Sequence, residues 1–176
     1  MQLDNKERGF SFLKEGDLDM RMDSHSKLTA KEIINHYSEK ELGKIFRDFG
    51  EERNWKIAAK AIVQARKKKS IETTTELADI ISSSIKGARR KRHPATLIFQ
   101  ALRVCVNREL DSIQEGVSKA IKHLAPKGRI GVISFHSLED RIVKNVLKEV
   151  SEPIKKIVRN KETTYLPLMK LLSKKP

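Results

Sequence analysis

The stretch from residue 128 to 144, GRIGVISFHSLEDRIVK, constrains the fold more than any other part of the chain. Residues 129–135 form a short apolar run rich in β-branched side chains, which is typical of a buried strand. Directly after it, Ser137 is placed to cap a helix, and Asp140 follows at the spacing where a carboxylate favours a helix amino terminus. The pattern therefore predicts a buried strand joined to a helix.

Polar side chains cluster where the predicted strand ends and the helix begins. Ligands of open α/β sheets bind at the carboxyl ends of the strands, so His136, Ser137, Glu139 and Asp140 are candidates for a functional site. An equally good account is structural, with Ser137 and Asp140 capping the helix and His136 hydrogen-bonded in the loop. The spacing alone does not decide between the two accounts.

A buried parallel strand needs neighbours, because its backbone groups must pair and both of its faces must be covered. The rest of the chain offers no second convincing strand as a partner. We therefore predict an α/β fold whose sheet is incomplete in this sequence. On that basis we interpret the chain as a fragment of a larger protein or a shortened gene product.

The remaining sequence predicts mainly helices. Three Ser or Thr residues are each followed three positions later by Glu, which is the signature of a capping box at a helix start. A further helix is predicted over 51–69, and one long helix or two abutting helices over 94–124. The predicted boxes are Thr29 with Glu32, Ser38 with Glu41, and Thr73 with Glu76.

The first 28 residues show no sustained helical period and predict an ordered loop. Within its GDLDMRMD run, Leu18, Met20 and Met22 alternate with charged residues that include Asp19 and Arg21. One side of the loop can therefore pack while the other presents a carboxylate and a guanidinium. Two interpretations stay open: a packed loop with solvated charges, or a ligand-facing loop, since long ordered loops are often functional.

The net charge of +14 favours a polyanionic partner, and nucleic acid fits better than a membrane surface. Four consecutive cations between predicted helices exceed what one helix end needs, so they are the first candidates for phosphate contacts. A second basic cluster has a structural explanation as well, because cations complement a helix carboxyl terminus. The first cluster is Arg89, Arg90, Lys91 and Arg92, and the second is Lys67, Lys68 and Lys69.

The sequence gives no indication of a disulfide, a metal site or a membrane segment. The single cysteine, Cys105, cannot form an intrachain disulfide or a metal cluster, and we predict no metal site. The sequence shows no secretory segment and no apolar run of transmembrane length. These features predict a cytoplasmic protein.

Six motifs, taken together, resemble the MraW/RsmH family of S-adenosylmethionine-dependent ribosomal RNA (cytosine) methyltransferases. The motifs match the family in their residues, order and spacing over nearly the whole chain. The resemblance implies transfer of a methyl group from S-adenosyl-L-methionine to the exocyclic amine of a cytidine in small-subunit ribosomal RNA. The motifs are QLDNKERGFSF, GDLDMRMD, FGEER, AIVQAR, HPATLIFQALRVCVNREL and GRIGVISFHSLEDRIVK.

The resemblance also implies a domain organisation. It predicts a partial Rossmann-like methyltransferase sheet with a helical inserted domain, in a chain that is mostly helical. Residues 1–4 end a motif of the methyltransferase core, 5–100 form the inserted domain for RNA recognition, and 101–176 return to the core. The family's glycine-rich cofactor loop and basic C-terminal tail have no counterpart here, so we expect this chain alone to be inactive.

Of the family's cofactor contacts, the resemblance carries over one, which matches Gln2. We hypothesise that the GDLDMRMD loop and the FHSLED junction border the base pocket, with Asp19, Arg21, His136 and Ser137 as its polar lining and as candidates for catalysis, their individual roles being open. The expected partner is small-subunit ribosomal RNA or the small ribosomal subunit, with a homodimer as a further option and no membrane. The alternative function is a helical RNA-binding module without catalysis.

Overall fold

The structure is a computed structural model that describes residues 8–85, 92–158 and 161–172. By its internal contacts the chain divides into two units, Met1–Glu109 and Leu110–Pro176. Each unit has an apolar cluster of its own. Within the three described ranges, no helix is both long and apolar enough to cross a membrane.

Local sequence signals set most helix starts of the first unit. The side chains of Thr29, Ser38 and Thr73 each accept a hydrogen bond from the backbone N–H three positions on, and Glu41 and Glu76 complete the capping boxes of the last two. These three predicted helix starts are confirmed, whereas the predicted capping box of Thr29 with Glu32 has only its threonine half. The helices are α1 (Ala30–His36), α2 (Glu39–Asp48), α3 (Trp55–Arg66), α4 (Thr74–Ser84) and α5 (Thr96–Asn107).

The helices of the first unit bury their apolar faces in a common core. Phe46 of α2, Ile62 of α3 and Leu102 of α5 are fully buried there. Burying a side chain of this size stabilises a fold by about 1.5–3 kcal/mol relative to leaving it exposed. The close contact of α2 with α3 and α5 therefore supplies much of the stability of this unit.

The predicted long run over 94–124 is two abutting helices. Arg108, with φ of 49°, adopts the left-handed conformation after α5 and so separates it from α6 (Glu109–Lys122). A bidentate ion pair spans the junction, because Arg103 Nε donates to Glu109 Oε1 at 2.8 Å and Nη2 donates to Oε2 at 3.0 Å. The ion pair thus links a residue before the turn at Arg108 to a residue directly after it.

The second unit contains most of α6, then α7 (Ser137–Ser151) and a β-hairpin. Val117 and Ile121 of α6 pack with Val143 and Val146 of α7. The hairpin consists of β1 (Ile154–Val158) and β2 (Lys161–Tyr165), which pair antiparallel with Ile154 opposite Tyr165.

The predicted strand at 129–135 is wrong, and with it the predicted α/β fold with a partial Rossmann-like sheet. These residues have no regular secondary structure, and the side chains of Ile133 and Phe135 are 84% and 90% exposed. Within the described ranges, the one sheet is the two-stranded antiparallel hairpin. An apolar, β-branched run forms a buried strand only where another strand pairs its backbone groups, and no described segment does so here. The expected helical character is present.

Candidate functional site

The candidate site of the first unit is built on residues 8–29, which form an ordered segment on the helical core. Leu18 and Met20 are each 1% exposed, whereas Met22 is 43% exposed. The predicted alternation of packed and outward residues is therefore confirmed at Leu18 and Met20 and is wrong at Met22.

Backbone hydrogen bonds fasten this segment to the start of α4. Leu18 N donates to the carbonyl of Glu72 at 3.2 Å, and Thr74 N donates to the carbonyl of Gly16 at 2.9 Å. Gly16 N in turn donates to Thr74 Oγ1 at 3.1 Å. The segment is thus held by main-chain groups as well as by its buried side chains.

Asp19 and Arg21 form a bidentate ion pair on this segment. Arg21 Nε donates to Asp19 Oδ1 at 2.6 Å, and Nη2 donates to Oδ2 at 2.9 Å. Their side chains are about a quarter exposed, which shields the pair from water only in part. The hydrogen bond from Arg21 lowers the pKa of the Asp19 carboxyl below its usual value, so the carboxylate stays ionised near neutral pH.

Arg21 also organises the loop that follows it. Its Nη1 donates to the carbonyls of Ser24 at 3.0 Å and Ser26 at 2.7 Å, and its backbone N–H donates to Asp19 Oδ1 at 3.1 Å. Among the described residues, Asp19 Oδ1 thus accepts two hydrogen bonds and Oδ2 accepts one. A carboxylate has about four acceptor sites, so Oδ2 keeps capacity for a further donor.

The side chains of Asn107 and of Arg8, the first residue of the segment, hold the backbone on either side of Arg21. Asn107 Nδ2 donates to the Met20 carbonyl at 2.8 Å, and its Oδ1 accepts from Met22 N at 2.6 Å. Arg8 Nη2 donates to the carbonyls of Arg21 at 2.6 Å and Met22 at 3.0 Å. Met20 has φ of 60°, the left-handed region that costs a non-glycine residue about 1–2 kcal/mol. The four hydrogen bonds offset this cost and fix the direction of Arg21.

Sequence reasoning missed both Arg8 and Asn107. Asn107 is the last residue of an apolar helix, and nothing local indicates that its partner in the loop lies 85 residues earlier. Arg8 Nε is buried and has no hydrogen-bond partner in the described part of the chain. The one signal available was the polar character of Asn107 beside an otherwise apolar helical face.

In the second unit, His136 and not Ser137 precedes the helix as its cap, so that prediction is wrong. His136 Nδ1 accepts from Glu139 N at 3.4 Å, and its Nε2 lies 3.2 Å from Glu139 Oε1. Glu139 Oε2 also accepts from Phe135 N at 2.8 Å. The side chains of His136 and Glu139 are only 17% and 16% exposed, and together they brace the first turn of α7.

The neighbouring candidates of the second unit lie within α7. Ser137 is its first residue, which leaves the capping position to His136. Asp140 Oδ2 forms an ion pair with Lys144 Nζ at 2.7 Å, one turn along the helix. The structure thus brings His136, Ser137, Glu139 and Asp140 together at one helix start.

Part of the predicted phosphate-contact set lies in the described ranges and is exposed. Lys67 follows the end of α3, where a cation complements the helix dipole. Lys69 Nζ donates to Glu76 Oε1 at 2.7 Å, and this hydrogen bond is the main cause that lowers the pKa of Glu76 to about 2. The exposed members are Lys67, Lys68, Lys69 and Arg92, whereas Arg89, Arg90, Lys91 and the predicted cofactor contact Gln2 lie outside the described ranges.

Comparison with known proteins gives consistent matches along the chain. A protein of Protochlamydia amoebophila named Ribosomal RNA small subunit methyltransferase H is 53% identical over 185 residues, covering 99% of this chain and 57% of that relative. Proteins of the same name from Caldicellulosiruptor bescii and a Sulfurihydrogenibium species are 55% identical over 148 residues and 51% identical over 172 residues. These cover 84% and 97% of this chain, and 48% and 54% of the relatives.

The chain spans about half the length of the curated relatives it matches. A family model described as the MraW methylase family matches residues 1–176, which is the whole chain. At this coverage and this level of identity, the chain belongs to the MraW methylase family.

Proposed function

We propose that this chain serves a methyltransferase that acts in the cytoplasm on small-subunit ribosomal RNA. The proposed reaction transfers a methyl group from S-adenosyl-L-methionine to the exocyclic amine of a cytidine. The observation that carries the proposal is the family match over all 176 residues, beside relatives named for methylation of this RNA. The methyl donor and the methylated atom rest on the resemblance of the six motifs.

The reaction makes a definite demand on the protein. The exocyclic amine of cytosine is a weak nucleophile because its lone pair is delocalised into the ring, so most of the rate must come from orientation of the reacting groups. An acceptor that binds an amine hydrogen favours the lone pair on nitrogen and stabilises the positive charge that develops there. The target base must also leave its stack to be reached.

Asp19 is our candidate for that acceptor. Its carboxylate is ionised, is fixed by Arg21, and keeps acceptor capacity on Oδ2 among the described contacts. Arg21 acts in this proposal as a positioning residue, since four of the five N–H donors of its guanidinium are used within its own loop. His136 and Ser137 remain separate candidates for polar contacts to the substrate, and the exposed cations at 67–69 and 92 are candidates for phosphate contacts.

The pocket described in the second unit does not by itself fit the methyl donor. Binding of a nucleoside's ribose hydroxyls commonly uses a carboxylate. The pocket of about 480 Å³ in the second unit is lined by apolar side chains and by Lys127, Arg129 and Lys170, without an acidic residue. We therefore assign no described residue to the cofactor.

The proposed function is tested in a chimera that has the full length of a relative. Residues 1–176 replace the corresponding segment of the Protochlamydia relative, and transfer of labelled methyl from S-adenosylmethionine to small-subunit ribosomal RNA is measured. We expect the chimera to methylate the RNA and Asp19→Asn to lower kcat about 100-fold or more, because a charged acceptor is lost from the transition state. Asp23→Asn is the matched control in the same loop. A rate for Asp19→Asn within about threefold of that control would contradict the role given to Asp19.

The alternative, an RNA-binding module without catalysis, has one observation in its favour. The first unit has its own core and exposes the lysines at 67–69. RNA binding by the chimera without any methyl transfer would favour this alternative. Methyl transfer that falls about 100-fold in Asp19→Asn would exclude it.

A further inference from the structure

Trp55 is the single tryptophan of the chain and lies at the first position of α3, half-buried. One edge of its indole lies against α2 at Gly43, where an added Cβ would come within 2.7 Å of ring atoms Cε3 and Cζ3. Only a glycine allows the ring to approach the helix this closely. The ring is thus held in place by packing while part of it stays accessible to solvent.

A surface pocket of about 550 Å³ opens beside this ring. Its cations share one face of α2, because Lys40, Lys44 and Arg47 are spaced by four and three residues. The pocket's one carboxylate, Glu41, is engaged in the capping box and accepts from both N and Oγ of Ser38 at 2.7 Å. The lining residues are Ser38, Lys40, Glu41, Lys44, Arg47 and Trp55.

Two cations lie over the indole ring itself. The Arg47 guanidinium carbon is 5.6 Å and Lys56 Nζ is 5.2 Å from the ring centroid, at cation–π distances. Arg47 is 54% exposed in its side chain and is held by Asp48, whose Oδ1 accepts from Arg47 Nε at 2.7 Å, whereas Lys56 is exposed. Lys56 can therefore move aside for a flat group on the indole, while Arg47 keeps its charge beside the ring.

We propose that this pocket binds an unpaired nucleobase of the RNA substrate, with the base stacked on Trp55 and the neighbouring phosphates held by Lys40 and Lys44. The identity of the partner as RNA rests on the proposed function. An aromatic side chain flanked by cations is the arrangement by which proteins bind single strands, since any base offers a π-face and the backbone offers the charge. A paired duplex cannot stack on the ring, because its bases are covered by their neighbours.

The pocket is a different surface from the cations considered so far. Lys67 follows the far end of α3, and the twelve residues of that helix span about 18 Å at 1.5 Å per residue. Nothing in the sequence pattern singled out Trp55, because its spacing with Ala58 and Ile62 is that of an ordinary apolar helix face. The structure buries those two residues and leaves the indole half-exposed.

Intrinsic fluorescence tests the proposal directly, because Trp55 is the one tryptophan. The full chain is titrated with a single-stranded RNA of about six nucleotides, with the same sequence as a duplex, and with inorganic polyphosphate at equal phosphate concentration. We expect the single strand to quench the emission in a saturable way and the other two to have little effect. Anisotropy of the same labelled RNA measures binding independently of the tryptophan.

Variants separate stacking from charge. Trp55→Leu should weaken single-strand binding about tenfold, and Trp55→Phe should retain most of it. The double variant Lys40→Ala with Lys44→Ala changes only exposed side chains, so it tests the pocket even if Trp55→Leu fails to fold. It should reduce the slope of log affinity against log salt by about 0.7 for each lysine that contacts a phosphate. Lys14→Ala, on an exposed lysine outside the pocket, should leave the slope unchanged.

Each other outcome overturns a defined claim. RNA binding without quenching, and unaltered by the pocket variants, would overturn the pocket and leave the proposed function standing. Quenching by inorganic polyphosphate as strong as by RNA would overturn the stacking of a base on Trp55 and leave the pocket as a site for anions in general. The absence of any RNA binding by the chain would also overturn the pocket. Quenching as expected together with a chimera that transfers no methyl would refute the proposed function alone.

Discussion

The Asn107 side chain fixes the orientation of Arg21 through the backbone. Among the described residues, no hydrogen bond joins the two side chains directly. Its amide donates to the carbonyl before Arg21 and accepts from the N–H after it, so the intervening residue is held at both ends. An aspartate there would lack the donor, and a leucine would lack both groups. The orientation of the Asp19–Arg21 ion pair therefore depends on the Asn107 side chain of α5.

Replacing Asn107 should have a measurable cost. Asn107→Ala is expected to lower the free energy of unfolding by about 1–3 kcal/mol, because the Met20 carbonyl and the Met22 N–H lose their partner. Denaturation in urea measures the change. The matched control is Asn54→Ala, since the Asn54 side chain makes no capping hydrogen bond, and its effect should stay within about 0.5 kcal/mol. Equal losses in the two variants would contradict the role of Asn107.

Helix α4 begins at a capping box that carries more than its usual hydrogen bonds. Glu76 accepts from the backbone N–H groups of Glu72 and Thr73 and from Lys69 Nζ. These donors favour the ionised carboxylate, the Lys69 hydrogen bond most of all, and they lower its pKa from 4.5 to about 2. Because the folded pKa lies below the ordinary value, the box stabilises the fold fully above about pH 4.5 and loses that contribution as the pH falls toward 2.

The pH dependence of stability should follow this carboxylate. Thermal melting of the unaltered chain is expected to fall more steeply between pH 4.5 and 2 than melting of Glu76→Gln, whose amide cannot titrate. Glu15→Gln, at an exposed glutamate that caps no helix, should keep the steep dependence. Parallel curves for the unaltered chain and Glu76→Gln would show that the box contributes nothing through its charge.

The elements that sequence reasoning predicted well are those whose causes are local. Ser38 and Thr73 mark helix starts because the groups that they satisfy lie three residues away. The strand predicted at 129–135 depends on a pairing partner elsewhere, and for that reason its composition was misleading. The same contrast holds within the candidate site, where Asp19 and Arg21 are 2 residues apart, whereas Arg8 and Asn107 bind backbone groups that lie 13 and 85 residues away.

Among the residues that the structure describes, large apolar side chains are exposed mainly in the second unit. Ile133 and Phe135 are 84% and 90% exposed, and Leu166 and Leu168 are 90% and 74% exposed. Exposed apolar groups in numbers of this kind bind other apolar surfaces and dyes. The second unit should therefore behave differently from the first in any assay of surface hydrophobicity.

A hydrophobic dye measures this difference. The native chain is expected to enhance the fluorescence of anilinonaphthalene sulfonate, and the double variant Ile133→Ser with Phe135→Ser should reduce the enhancement without lowering the melting temperature, because neither side chain packs in a core. Leu13→Ser is the control, since Leu13 is 84% exposed and belongs to the first unit. A large drop in melting temperature for the double variant would mean that these residues do contribute to packing.

The loop that carries Asp19 also limits how the chain can change. Gly9 has φ of +67°, and a Cβ at this position would lie 2.0 Å from the carbonyl oxygen of Asp17. Gly116 of α6 has open space around the same atom. Position 116 therefore has room for a side chain, whereas any residue with a Cβ at position 9 must displace the backbone at Asp17, directly before Asp19.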